Sequence, residues 1–189
     1  APLRPSPIAG RWYENDPKKL ATEVDRYLND AKLPDFAGDV VALIAPHAGY
    51  IYSGAVAGHA FAAVHDKNYD LVILLSPLHA PHPDSFLTSA HHAYTTPLGK
   101  ILIARDLVNA VSADLEENLG FGITPIANDG EHSLEIELPF LQRALPNDFE
   151  LLPIMIRSTN AQELAVLGKA LVKILRGRNA LLVASTDLS

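Results

Sequence analysis

The hydrophobic residues of this chain form two kinds of pattern, short continuous runs and longer stripes at helical spacing. Apolar runs of five or six residues at 40–45, 71–75 and 180–184 predict strands that are covered on both faces. Residues 151–156 also have the composition of a strand. A core of parallel strands is therefore expected.

Helical stripes lie between these strands. They cover residues 17–31, 53–64, 105–117, 134–145 and 160–176. Asp16 and Pro17 form a helix-start signal, and Gly177 closes the last stripe. Ser53 is the expected N-cap of the second helix, whose Ala and Gly residues would allow close packing on the sheet. Pro139 lies inside the fourth stripe and should kink the helix or mark a restart.

Strands that alternate with helices predict a three-layer α/β domain with a mainly parallel, doubly wound sheet. Residues 85–104 differ, because they contain short β-prone pieces separated by a Thr-Thr-Pro-Leu-Gly turn. Antiparallel strands at an edge of the sheet would suit that segment. No repeat or linker divides the chain, so residues 1–189 are expected to form a single domain.

Composition narrows the functional classes. Hydrophobic residues make up 48% and charged residues 20% of the chain, as in globular proteins. A net charge of −7 argues against nucleic acid and anionic membrane surfaces as partners. The chain contains no Cys, which removes disulfides and thiolate ligands. It carries no membrane-spanning run and no signal-peptide pattern at its start, so a cytoplasmic location is expected.

The candidate chemistry follows the three apolar runs. His47 follows the first run, His79 the second and Asp187 the third. Ligands bind beyond the carboxyl ends of strands in open parallel sheets, so these side chains should meet at one edge if the strands are neighbours. Two imidazoles and a carboxylate form the ligand set of a non-haem Fe(II) site, and imidazoles also bind Zn, Cu or Ni. The alternative is that each histidine caps a turn and bonds to the backbone.

A second polar group, Glu131-His132-Ser133, precedes the stripe of residues 134–145. His132 could act as a general acid or base or as a further metal ligand. The alternative is that the group caps the N-terminus of a helix. Glu135 and Glu137 alternate with apolar neighbours and are expected to be solvated. P-loop, GxGxxG, HExxH and GxSxG motifs are absent from the sequence.

Several segments together resemble the motifs of the Memo family, whose prokaryotic members are often called AmmeMemoRadiSam system protein B. In chain order they are AGRWY at 9–13, PHAGYIYSG at 46–54, TPLG at 96–99, EHSLE at 131–135, PFLQ at 139–142 and STDLS at 185–189. They extend from one end of the chain to the other, so the resemblance covers essentially the whole sequence.

The resemblance implies a fold similar to the LigB-like class III extradiol dioxygenases, which use non-haem iron. It matches His47 and His79 to the family's two metal-ligand histidines and Asp187 to an acidic residue beside the site. It also matches Trp12 and Tyr52 to aromatic residues that line the cleft. Animal members have been linked to copper or iron binding, redox chemistry and the binding of phosphotyrosine peptides.

Two features depart from the family pattern. The second histidine motif is Ser-Pro-Leu-His at residues 76–79, where the family more often has Gly-Pro-Ser-His. Family members also continue past Asp187 with another histidine and, further on, a third ligand position that is often Cys, whereas this chain stops at Ser189. We therefore expect a Memo-like domain truncated at its C-terminus, with apolar surface exposed near the cleft.

These observations favour a metal-binding, dioxygenase-like protein with oxidoreductase potential. Its expected cofactor is a divalent or redox metal, Fe(II) or Cu with Zn as an alternative, bound by His47 and His79. His132, Asp187 and Glu131 are the candidate catalytic residues, and whether the protein is an enzyme stays open.

Two other functions are compatible with the same residues. A non-catalytic protein could bind a small molecule or peptide in a vestigial dioxygenase cleft through Trp12, Tyr50 and Tyr52. A metal-dependent hydrolase could use Glu131 or His132 as general base. A homo-oligomer is also compatible with the sequence.

Overall fold

The computed structural model describes residues 2–187, which form a mixed β-sheet flanked by helices. In chain order the elements are β1 (Leu3–Arg4), α1 (Pro17–Asp30), β2 (Ala42–Ala45), α2 (Tyr50–Ala62), β3 (Leu71–Pro77), β4 (Phe86–Ser89), β5 (Ala93–Thr96), β6 (Gly99–Leu102), α3 (Arg105–Leu119), β7 (Thr124–Ile126), a 3₁₀ helix (Glu135–Glu137), α4 (Leu138–Ala144), β8 (Glu150–Ile156), α5 (Ala161–Leu175) and β9 (Ala180–Ser185). The predicted α/β class is confirmed.

The main sheet has six strands in the order β2-β9-β3-β8-β4-β7. The first four strands are parallel, whereas β4 pairs antiparallel with β8 and parallel with β7. A small second sheet has the order β1-β5-β6, in which β5 and β6 form an antiparallel hairpin. The predicted antiparallel portion at the edge is therefore confirmed.

Local signals positioned several helices correctly. The backbone N–H of Lys19 donates to Asp16 Oδ1 at 2.9 Å, so Asp16 caps α1 as predicted. Pro139 lies in the first turn of α4, directly after the 3₁₀ helix, and marks a restart of the helical segment. Among residues 2–187, no helix has the length and apolar character needed to cross a bilayer.

The predicted start and N-cap of α2 were wrong. The helix begins at Tyr50 after an N-cap at Gly49, and the Ser53 hydroxyl, already inside the helix, donates to the carbonyl oxygen of Ala48. The helix contacts β2 of the sheet, but its glycines Gly54 and Gly58 lie closest to Tyr27 of α1. A Cβ built on Gly58 would lie 2.5 Å from the carbonyl oxygen of Tyr27 in α1, so the close approach joins two helices.

The prediction that β2 is covered on both faces was also wrong. β2 is an edge strand of the main sheet, and its residues alternate between exposed and buried. Val41 and Ile44 are 70% and 64% exposed. Together with Val56 and Asp187, Ile44 lines an open cavity of about 450 Å³. Apolar surface is therefore present near the predicted cleft, as expected.

Candidate metal centre

The strands that carry the predicted site are neighbours. β9 lies between β2 and β3, so the segments that follow these three strands leave the sheet at the same edge. His47 Nε2 lies 3.1 Å from Asp187 Oδ2, and the His47 and His79 rings are 5.4 Å apart between centroids. The sequence-based expectation that these three residues meet is confirmed. Leu188 and Ser189, which end the last motif, lie outside the described residues.

A third histidine joins the cluster. Donor atoms of His47, His79 and His132 all lie within 4.8 Å of one another, close enough to share one metal ion. His132 approaches from the loop before the 3₁₀ helix, and its ring stacks on His79 at a centroid distance of 4.7 Å. The converging set therefore consists of three imidazoles, while Asp187 contacts the cluster through His47.

Glu131 fixes the orientation of His79. Its Oε1 lies 2.9 Å from His79 Nδ1, and its Oε2 accepts the backbone N–H of His79 at 2.6 Å. Burial opposes ionisation, but backbone hydrogen bonds from His79 and Ser133 outweigh it and lower the pKa of Glu131 to about 2. An ionised carboxylate only accepts, so His79 Nδ1 must donate. The lone pair of His79 is therefore on Nε2, where a metal can bind.

His47 is the most deeply buried member of the cluster, with 3% of its surface exposed. Its Nδ1 lies 3.2 Å from Ser185 Oγ, whereas Nε2 faces Asp187 Oδ2 at 3.1 Å but makes no hydrogen bond of good geometry within the described residues. Burial lowers the pKa of His47, although the nearby Asp187 carboxylate acts in the opposite direction. Burial likewise lowers the pKa of His132, and there the Glu131 carboxylate opposes it. A lowered pKa favours the neutral ring, the form that metal ligation requires. A buried Nε2 that faces a carboxylate oxygen and two other imidazoles fits a bound cation.

A buried ion-pair network holds the loop that carries His132. Arg4, which is 1% exposed, donates to Glu135 Oε2 at 2.6 Å and to Asp129 Oδ1 at 2.7 Å. It also donates to the carbonyl oxygen of Glu131 at 2.8 Å. The Glu135 carboxylate further accepts from the hydroxyl groups of Ser6 and Tyr13. The N-terminal segment therefore fixes the backbone next to the histidine cluster.

The expectation that Glu135 and Glu137 are solvated was wrong. Both side chains are 0% exposed. Glu135 is paired with Arg4, and Glu137 Oε1 lies 2.7 Å from the Ser185 hydroxyl oxygen. Their partners lie far away in the sequence, so no local pattern could indicate them.

The aromatic residues predicted to bind a ligand occupy different environments. Trp12 packs on His132 with ring centroids 4.0 Å apart, so it borders the cluster. Tyr50 is 2% exposed and donates its hydroxyl to the carbonyl oxygen of Ile136, so it lies in the core rather than at the surface of the cleft. Tyr52 is 82% exposed on α2.

The geometry defines a class of protein, an α/β domain with a histidine cluster at the carboxyl edge of its sheet. A family model described as "Memo-like protein" matches residues 4–189. A MEMO1 family protein of Methanothermobacter thermautotrophicus is 31% identical over 196 residues, covering 99% of this chain and 69% of the relative. One of Nitrosopumilus maritimus is 28% identical over 193 residues, covering 99% and 68%. The chain therefore belongs to the Memo family.

Proposed function

We propose that the protein binds a divalent or redox-active metal ion between His47, His79 and His132. The observation that carries this proposal is the convergence of the three donor atoms within 4.8 Å. The burial that lowers the pKa of His47 and of His132 supports it, because metal and proton compete for the same lone pairs.

The ligand chemistry favours a borderline metal. Imidazole nitrogen suits Fe, Cu, Zn and Ni, and the chain has no thiolate to select softer ions. We propose Fe(II) or Cu, with Zn as the alternative. Asp187, 3.1 Å from His47 Nε2, places a carboxylate oxygen beside the cluster and adds the negative charge that a divalent cation needs.

We further propose a dioxygenase-like, oxidoreductase role for this centre. A bound metal would supply Lewis acidity, open coordination positions and, for Fe or Cu, electron transfer. The protein's own residues would orient the substrate and move protons. Asp187 is 63% exposed and reaches solvent, so it can exchange protons with the cleft. Trp12 shields one face of His132, which limits water access from that side.

Binding without catalysis is the second candidate function. The open cavity beside Asp187, about 450 Å³ and bordered by Ile44 and Val56, has the size of a small-molecule site. A ligand that binds the metal-free protein with unchanged affinity would favour this role over the enzyme.

Anaerobic titration of the purified chain with Fe(II), Cu and Zn tests the proposed function. We expect one metal ion per chain, with affinity strongly reduced in His47→Ala, His79→Ala and His132→Ala. His65→Ala is the matched control, because His65 pairs with Asp66 at 3.9 Å and is not part of the cluster. Wild-type affinity in His47→Ala and His79→Ala would contradict the proposal.

A further inference from the structure

The group behind His47 is a buried hydroxyl with three polar neighbours. Ser185 Oγ, at the end of β9, lies 2.5 Å from the carbonyl oxygen of Ser133 and 2.7 Å from Glu137 Oε1. His47 Nδ1 is the third neighbour, at 3.2 Å. Ser185 is 4% exposed and Glu137 is 0% exposed, so solvent reaches neither. Every proton in this group must therefore be assigned among these few atoms.

Counting donors and acceptors gives one arrangement that satisfies all three contacts. A hydroxyl donates one hydrogen bond and accepts two. The carbonyl oxygen of Ser133 can only accept, so the Ser185 proton points to it at the shortest of the three distances. The two lone pairs of Ser185 then face Glu137 and His47, and each of these neighbours must donate. Glu137 donates only when it is protonated, and His47 donates when its proton is on Nδ1.

The surroundings of Glu137 agree with a neutral acid. Burial raises the pKa of Glu137 well above its ordinary value, against the hydrogen bond to Ser185. Glu137 Oε2 has no hydrogen-bond partner within residues 2–187. Burying such an oxygen costs far less in a neutral carboxylic acid than in an ionised carboxylate. An ionised Glu137 would compete with Ser133 for the single proton of Ser185.

We propose that Ser185 and Glu137 are a pair of positioning residues for His47: neutral Glu137 donates to Ser185, and Ser185 accepts from His47 Nδ1. The Nε2 lone pair of His47 then points into the histidine cluster. The inference rests on the proposed function, since it assigns the pair a role in metal affinity. It also limits the carboxylate charge beside the cluster to Glu131 and Asp187, which together balance a divalent cation.

Removing the Ser185 hydroxyl should favour the other tautomer of His47, with its proton on Nε2. In Ser185→Ala, His47 Nδ1 loses its acceptor, and the nearest remaining acceptor is Asp187 Oδ2, 3.1 Å from Nε2. The Asp187 side chain is 63% exposed, so it can rotate into hydrogen-bond geometry with a protonated Nε2. The proton would then occupy the nitrogen that the metal needs. Outer-shell changes of this kind lower metal affinity by about 10- to 100-fold. Ser185→Thr keeps the hydroxyl and should restore both the tautomer and the affinity.

Glu137→Gln tests the protonation state. Gln is neutral and its amide N–H can replace the acid as donor to Ser185, so tautomer and metal affinity should stay as in the wild type. The infrared carbonyl band of a protonated carboxyl should disappear in the same variant. Thr88→Val is the matched control, because Thr88 is 1% exposed and donates to Pro153 away from the cluster. Like the other variants it removes or alters a buried polar contact.

The decisive measurement is the tautomer of His47, read from the nitrogen-15 shifts and couplings of its ring in the metal-free full chain. Proton on Nδ1 in the wild type and in Glu137→Gln, and on Nε2 in Ser185→Ala, supports the inference. An unchanged tautomer in folded Ser185→Ala, or no carboxyl band lost in Glu137→Gln, overturns it. Failure of the wild type to bind any metal would refute the proposed function instead, while the tautomer would still decide the positioning role.

Discussion

Replacing Arg4 by Met gives the sharpest test of what holds the site in place. Arg4 is 1% exposed and its guanidinium contacts Glu135 at 2.6 Å and Asp129 at 2.7 Å, with Glu135 itself 0% exposed. Met fills much of the same volume without charge. The variant therefore leaves a buried carboxylate without its cation, which is the costly way to break such a pair.

The expected loss follows from burial. Removing one partner of a buried ion pair costs about 3–5 kcal/mol, because the remaining charge is desolvated and unpaired. Arg143→Met is the matched control. Arg143 binds Asp25 at 2.8 and 2.7 Å, a comparable geometry, but the two side chains are 40% and 38% exposed. Solvent screens that pair, so its loss should cost at most about 1 kcal/mol.

Urea denaturation of the three metal-free proteins measures the difference. Thermal unfolding is the second readout: for a chain of this length, a loss of about 3–5 kcal/mol lowers the melting temperature by about 6–20 °C. Burial raises the pKa of Glu135, and loss of Arg4 should raise it further. The penalty should therefore be largest at neutral and higher pH and shrink as the pH falls and Glu135 becomes protonated. An Arg4→Met variant no less stable than Arg143→Met would refute the reasoning.

Two further predictions concern packing and ligand orientation. Gly58→Ala places a methyl group 2.5 Å from the backbone oxygen of Tyr27 and should lower the unfolding free energy by about 1–3 kcal/mol in urea denaturation. Gly168→Ala is the control, because open space surrounds Gly168, and it should stabilise α5 by up to about 1 kcal/mol. Equal effects of the two substitutions would contradict the close helix contact. Glu131→Gln replaces one acceptor oxygen by an amide donor facing the N–H groups of His79, and metal titration should show about 10- to 100-fold weaker binding. Wild-type affinity in that variant would argue against an orienting role for Glu131.

The position of the site was predictable because the strongest strand signals carry it. Residues 71–75 and 180–184 lie in β3 and β9, and the polar residues that follow them lie at the predicted edge. Adjacency of the strands could not be derived from their sequences, because any order of parallel strands produces the same apolar runs. The same limit explains the error at β2. A continuous apolar run does not show whether a neighbouring element covers its second face, and Ile44 remains 64% exposed.

The buried glutamates were beyond sequence-based prediction for a different reason. Alternation of Glu135 and Glu137 with apolar residues is typical of a half-exposed segment. In the structure this segment is a 3₁₀ helix enclosed by Arg4 on one side and Ser185 on the other. Arg4 and Glu135 are separated by 131 residues, so the partner that makes burial tolerable is visible only in three dimensions.

The alternative that Glu131-His132-Ser133 caps the N-terminus of a helix was wrong, because the following 3₁₀ helix has Leu134 as its N-cap and no side-chain cap. Glu131 Oε1 instead accepts the backbone N–H groups of His132 and Ser133 at 3.0 and 2.9 Å within the loop that precedes the helix. The same oxygen lies 2.9 Å from His79 Nδ1, which orients a candidate metal ligand. Backbone hydrogen bonds from this loop and from His79 also keep the Glu131 carboxylate ionised. The ionised carboxylate in turn fixes the tautomer of His79. The hydrogen bonds inside this loop therefore support the candidate metal centre, and the local motif alone could not show that.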